Sequence, residues 1–154
     1  MAYWLLKSEP ETFGIEQLAA APKRTSAWDG VRNYQARNFL RDDVSRGDQA
    51  FLYHSSCAVP GIAGILSVTR EGFPDATQFD RKSQYFDAAS NAGEPRWFAI
   101  NVRLTRRCKR IITLDELRAH ADGKLRGMRL LQRGNRLSVM PINDAHWRFI
   151  LSLE

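Results

Sequence analysis

Between Trp97 and Leu104 the side chains alternate. Trp97, Ala99, Asn101 and Arg103 fall on one side, and Phe98, Ile100, Val102 and Leu104 on the other. Successive Cβ atoms of an extended chain point to opposite faces, so this is a strand with one face in a core and the other facing out. Such a strand needs partners, and the rest of the chain offers them as short runs. Tyr3–Leu6, Gln49–His54 after the turn residues Gly47-Asp48, Gly61–Thr69, Arg110–Leu114 and Leu137–Val139 all read as strands. Helices are fewer. Gly14–Ala20 has Gln17 three residues in, and Asn33–Val44 puts Ala36, Phe39, Leu40 and Val44 on one stripe. Leu114–His120 is a third, and Asn143 caps a last one that gathers His146, Trp147, Ile150 and Leu151. Short strands with few helices between them predict an α+β domain on a small, strongly bent sheet or barrel.

A chain of 154 residues fits one domain, 1–154, and no linker or internal repeat divides it. At this length roughly 70% of the unfolded surface is buried on folding, so no disulfide or metal staple is needed. Cys57 and Cys108 are too few for a disulfide scaffold, and His54, His120 and His146 are scattered. No metal and no cofactor is expected. The start, Met1 to Lys7, has no basic leader, and no apolar run approaches the ~18 residues of a membrane helix. The expectation is a cytoplasmic protein without a membrane partner.

The net charge is +6, and its distribution is uneven. From Arg103 to Arg136 there are eleven Lys or Arg against Asp115, Glu116 and Asp122, so the whole surplus lies in one stretch. Most of the basic residues are Arg, whose planar fork suits phosphate and base edges. A local basic segment is either the footprint of a polyanion binder or an ordinary solvated face. Composition leaves both open.

Aromatic and polar residues recur at the ends of the expected elements. Trp4 to Pro10 ends its strand in Lys7, Ser8 and Glu9, and Trp28-Asp29-Gly30-Val31-Arg32-Asn33-Tyr34 runs through a turn into the second helix. Tyr53-His54-Ser55 leaves a strand, Pro95-Arg96-Trp97 opens one, and Asn135-Arg136-Leu137-Ser138 enters another. Singly, each has a structural reading: a Trp is core, Asp29-Gly30 a turn, His54 a satisfied strand-end residue. Together they make what a pocket for a flat heterocycle requires, faces to stack on and donors and acceptors for the ring edge.

The segments WLLKSEP, WDGVRNYQARN, YHSS, GIAGILSV, PRW and NRLSVMPI, in this order, resemble the EVE domain over roughly Ala2 to Leu153. The resemblance implies a PUA-like pseudo-barrel of short, mostly antiparallel strands with a few peripheral helices, akin to YTH and ASCH domains. It also implies a non-catalytic module whose pocket accepts a modified base of DNA or RNA. Carried onto this chain, the base-binding candidates are Lys7, Ser8, Trp28, Gly30, Val31, Asn33, Tyr53, His54, Ser55, Trp97, Arg136 and Ser138. Trp28 would stack on the base, with Tyr53 or Trp97 opposite. Asn33 and Ser8 would read the ring edge, and Lys7 and Arg136 would hold a phosphate or carbonyl oxygen.

Arg106, Arg107, Lys109, Arg110, Arg126, Arg129 and Arg133 would hold the flanking backbone. An enclosed pocket requires a flipped base or a single strand. Two readings of other classes stand beside this one. The chain could be a hydrolase of modified nucleosides like some ASCH relatives, using Lys7, Ser8 and Glu9, or a protein-interaction adaptor. Neighbouring strand residues face opposite ways, so Lys7 and Ser8 share a pocket only if the strand breaks there.

Overall fold

The alternating run opens a much longer strand, β5 (Phe98–Thr113), in a computed structural model that describes all 154 residues. It pairs antiparallel with β4 (Gly61–Pro74). The pairing shifts register four times, between Ile62 and Gly64, Ile65 and Leu66, Val68 and Arg70, and Arg70 and Phe73. A bulge bends its strand and increases the local right-handed twist, so the pair curls instead of lying flat. The separate strand expected at Arg110–Leu114 is therefore the far end of β5, which rounds the bend without breaking its ladder.

The sheet has six strands in the order β2-β5-β4-β3-β1-β6. β1 is Tyr3–Ser8, β2 Thr25–Trp28, β3 Gln49–His54 and β6 Val139–Ile142. Every neighbouring pair is antiparallel except β1 with β3. That parallel pair needs a crossover, which carries α1 (Pro10–Phe13), α2 (Ile15–Ala20), β2 and α3 (Tyr34–Asn38). The end of β2 and the residues entering β6 border one cleft although they belong to opposite edges of the sheet. The fold is thus α+β, a PUA-like pseudo-barrel with peripheral helices.

Apolar burial holds the curl. Leu5, Leu6, Phe51, Leu52, Ile62, Leu66, Ile100, Leu104 and Ile112 are fully buried. Both faces of β1 and β3 are covered, which is why Leu5-Leu6 and Phe51-Leu52 read as continuous apolar runs rather than alternations. On α5 (Asp144–Ser152), Trp147 stacks between Phe51 and Tyr3 at centroid distances of 3.9 and 4.4 Å. Asn143 caps this helix by accepting the His146 N–H at 2.8 Å.

The helices are shorter than their patterns suggest. The stripe Asn33–Val44 is a short α3, capped by Asn33 accepting from the Ala36 N–H, followed by a wider π-helical turn, Phe39–Asp43. Leu40 stays fully buried through that widening. α4 is Leu114–Arg118, with Thr113 capping its start. No helix is long and apolar enough to cross a membrane.

One buried acid anchors the start of the chain. The Asp48 carboxylate accepts the Ala2 N–H at 3.0 Å, the Trp4 indole N–H at 2.9 Å and the Ser45 N–H at 2.9 Å. It ties the first residues of β1 to the turn before β3. Asp48→Ala strands three donors, two of them backbone, and is expected to cost roughly 2–4 kcal/mol. Urea unfolding should show a lower midpoint with an unchanged slope.

Candidate functional site: an aromatic cleft at the end of the barrel

β1 outlives its partner. Its ladder with β6 ends at Leu6 opposite Val139, and beyond that only the Lys7 N–H reaches across, donating to the Ser138 carbonyl at 2.9 Å. Pro10 then closes the strand by starting α1. Lys7 and Ser8 border the gap so opened, and both line a cleft of about 710 Å³. The end of β2 supplies Ala27 and Trp28, and the loop after it Asp29, Gly30, Val31 and Arg32. Phe13 ends α1 and stacks with Trp28 at 6.3 Å between ring centroids. Ser55, Arg136, Leu137 and Ser138 complete the side nearest β1, and Tyr85 stands over Gly30.

The wall bearing Tyr85 is part of the long connection between β4 and β5. Its neck is closed by the Asp75 N–H donating to the Trp97 carbonyl at 2.9 Å, and by buried Gln78, whose amide donates to the carbonyls of Asp75 and Trp97. The Asp75 carboxylate is fully buried and accepts from the Gly30 N–H at 2.8 Å, from Arg32 at 3.0 Å and from the Thr77 N–H at 2.8 Å. Arg32 also donates to the Tyr85 carbonyl at 2.7 Å. One carboxylate and one guanidinium therefore join the two loops that face each other across the cleft. Gly30 has φ +77, and a Cβ there would lie 2.7 Å from the Tyr85 ring, so only glycine fits both the turn and the close approach.

Three polar side chains lining the cleft are left without a hydrogen-bond partner from another residue. Lys7 makes no ion pair, its ammonium lies 5.9 Å from the Tyr53 ring centroid, and burial pushes its amine below the ordinary lysine range. The Ser8 hydroxyl is buried without a hydrogen-bond partner. Burial, reinforced by the Asp75 charge, raises Asp29 above the usual carboxylate range, and its side chain accepts nothing from another residue. The site thus offers unpaired donors and an unpaired acceptor beside aromatic walls, an arrangement suited to the edge and face of a heterocycle.

Of the twelve expected base-binding residues, Lys7, Ser8, Trp28, Gly30, Val31, Ser55, Arg136 and Ser138 line this cleft. The other four serve it from behind. Asn33 spends its side-chain carbonyl on the α3 cap and does not line the cleft. Tyr53 is buried beneath Lys7. His54 accepts the Ile15 N–H at 3.2 Å and so caps α2, while burial lowers its pKa and favours the neutral ring that this bond needs. Trp97 stacks on Tyr34 at 4.9 Å, donates to Asp87 at 2.8 Å and lies under Arg32, which holds it at the loop neck.

The basic stretch divides as well. Arg106 pairs with Glu154, Arg107 with Glu16 and Arg110 with Glu116, and the Lys109 N–H donates to Glu154. Arg126 reaches only the Asp122 carbonyl, at 3.5 Å. Arg129 and Arg133 line a second cleft of about 540 Å³, which shares Leu137 with the first. Sequence reading missed Phe13, Asp29, Arg32, Gln84 and Tyr85 at the site. Asp29 and Arg32 adjoin Trp28 and were within reach of motif reasoning, whereas Gln84 and Tyr85 sit in a polar loop without periodicity.

A curled, mostly antiparallel sheet with an aromatic cleft between the ends of its edge strands is the α+β, PUA-like architecture that the sequence resemblance implies. Residues 2–153 match the model of the EVE domain. Human thymocyte nuclear protein 1 is 44% identical over 168 residues, covering 99% of this chain and 74% of that protein. A structure of human THYN1 in complex with DNA containing 5-methylcytosine superimposes with a TM-score of 0.95 at 43% identity, over 99% of this chain and 97% of that one. A Pseudomonas syringae protein gives 0.93 at 43% identity, over 99% of both chains. The chain belongs to the EVE domain family.

The Asp75 linkage makes a pH prediction. Burial works against its charge, but the donors from Thr77, Gly30 and Arg32 outweigh burial and hold its pKa below the usual range. A carboxylate depressed in the folded state stabilises above its unfolded pKa of ~3.9, and that stability is lost as pH falls through the folded value. Asp75→Asn should therefore be less stable than wild type at pH 7, with the gap narrowing below about pH 4. Urea midpoints measured from pH 7 to 3 check this, and parallel curves would refute it.

Proposed function

We propose that this chain is a non-catalytic reader of DNA that receives a modified base, flipped from its stack, in the aromatic cleft. One observation carries the reading. Trp28, Phe13 and Tyr85 wall a cleft in which Lys7, Ser8 and Asp29 are left without protein partners. Of the three, the Ser8 hydroxyl is the buried one, with Lys7 half-buried and Asp29 exposed. A buried hydroxyl without a partner is costly in a stable fold, and a ligand edge that pairs with it offsets that cost. The human THYN1 complex with 5-methylcytosine DNA supports a base of that class. RNA with an unstacked modified base offers the same face and edge, and remains within the proposal.

The energetics are bounded. Extruding a base costs a few kcal/mol, recovered by stacking and edge contacts. A methyl group filling an apolar niche adds ~0.8 kcal/mol, about fourfold in affinity. A modification preference much larger than that would have to come from a polar mismatch with the unmodified base.

A second reading rests on a separate observation. Lys7 and Glu9 share the cleft, and the lowered lysine pKa is what a nucleophile or base requires. Turnover of an acylated nucleoside by wild type, absent in Lys7→Ala, would replace the reader assignment with hydrolysis.

Titration of a short duplex carrying one central 5-methylcytosine, against its unmodified match, is expected to show binding with a preference of a few-fold. Trp28→Leu keeps apolar bulk but removes the stacking face, and should lower affinity for both duplexes roughly 5- to 150-fold. Absence of binding by the wild-type protein to duplex and single-stranded probes alike would overturn the reader.

A further inference from the structure

The surface beside the aromatic cleft carries an excess of positive charge that the protein does not neutralise. From Ala119 to Ser138 there are five cations, Lys124, Arg126, Arg129, Arg133 and Arg136, against Asp122 alone. Arg129, Arg133 and Arg136 are exposed, and none makes an ion pair or a side-chain hydrogen bond to the protein. The contrast with β5 is direct, because Arg106, Arg107 and Arg110 each hold a glutamate in two-pronged pairing. The same residue type is compensated at those three positions, whereas Arg133 and Arg136 have no such partner and Arg129 meets only the Phe39 ring, 5.8 Å from its centroid.

The bare surface is also shaped. The second cleft is lined by Arg129, Gln132, Arg133 and Asn135, with Gln35 of α3 and a single apolar residue, Leu137. It has no aromatic wall and so no face on which a base could stack. Its backbone is built of successive turns, joined by the Met128 N–H to Leu125 O, Leu131 N–H to Met128 O, Gln132 N–H to Arg129 O and Asn135 N–H to Gln132 O bonds. Leu125 and Met128 are buried beneath it. The guanidiniums therefore project from a fixed frame, which reduces the ordering cost of binding.

Continuity fixes what this surface serves. Leu137 borders both clefts, and Arg136 lines the aromatic one while Arg133 lines the basic one. Three residues span at most ~11 Å of extended chain. A strand that leaves its base in the aromatic cleft must run out within about one or two nucleotides of Arg133.

We infer that the Arg129–Arg133 cleft is the track for the phosphodiester backbone flanking the bound nucleotide. The two phosphates next to that nucleotide are its ligands, and the cleft does not read base identity. This inference rests on the reader assignment above and adds the path of the strand.

The test is the salt dependence of binding, with duplexes carrying or lacking one 5-methylcytosine, from 50 to 200 mM salt. Each phosphate neutralised contributes about 0.9 to the slope of log affinity against log salt. Arg129→Gln with Arg133→Gln should reduce that slope by about 1.8 for both duplexes, leaving the ratio between them unchanged. Arg133→Gln alone, at an exposed side chain, should remove about half of that amount and guards against a folding defect in the double variant. Removing two charges from β5, with Arg106→Gln and Arg107→Gln, should change the slope less than half as much as the Arg129/Arg133 pair.

A wild-type slope retained in the Arg129/Arg133 variant would overturn the track and leave the reader intact. Loss of the modification ratio in that variant would overturn it too, because the cleft would then be reading the base. Inorganic phosphate binding at these arginines, with the DNA slope unchanged by their removal, would identify a free-anion site instead. Absence of salt-dependent binding by wild type would overturn the reader and the track together.

Discussion

Asp75 is a carboxylate with no solvent exposure, and the shape of the cleft depends on how that charge is satisfied. Taking an ion out of water costs several kcal/mol unless its lone pairs are met. Here the acceptors are filled by a backbone N–H from the β2–α3 loop, a guanidinium from the same loop, and Thr77 just beyond β4. The two loops are distant in sequence, and beside the Asp75 linkage they meet through the stacking of Tyr34 on Trp97. A buried charge that requires donors from both sides adds to that stacking a fixed direction as well as proximity. Gly30 is placed by its own N–H, and Tyr85 by the Arg32 bond to its carbonyl.

The strands reach this point because the sheet curls. Four register shifts in one long antiparallel pair turn what would be a flat, double-edged sheet into one whose edge strands end beside a common cleft. The cleft lies where the β1–β6 ladder has stopped and only one backbone bond still crosses. An opening of that kind is available only at the end of a barrel, where the ladder can end without exposing a long edge. The bend and the site are consequences of the same geometry.

Much of this was legible in the sequence, and the failures have distinct physical causes. β3 was bounded correctly because turn residues flank it and its apolar run is continuous. The far part of β5 was read as a separate strand because a bulge interrupts alternation without interrupting pairing. β2 was missed altogether: Thr25–Trp28 is four residues long and mostly half-exposed, too short to show a period. At the site, local motifs located Lys7, Ser8, Trp28 and Gly30, which the chain places in or next to regular strands. They also marked Asn33, His54 and Trp97, which lie outside the cleft lining and have polar atoms engaged by a helix cap, a helix N-terminus and a loop neck. Residue type announces that a side chain can hydrogen-bond, but its partner is decided by folding. Tyr85 had no signal, because its position comes from Asp75 and Arg32 rather than from its neighbours.

The same distinction governs the charge. A count of arginines from 103 to 136 treats them alike, yet glutamates from α2, α4 and the C-terminus neutralise Arg106, Arg107 and Arg110 of β5 and none pairs with an arginine of the turns after α4. An exposed arginine bridged to a carboxylate must give up that partner before it can hold a phosphate, whereas a bare one gives up only water and counterions. Released counterions supply the entropy that drives polyanion binding. Sites of unpaired charge are therefore where a polyanion gains most, and here they adjoin the unpaired donors of the aromatic cleft. Two kinds of unsatisfied group, one suited to a ring edge and the other to phosphate, meet at Leu137.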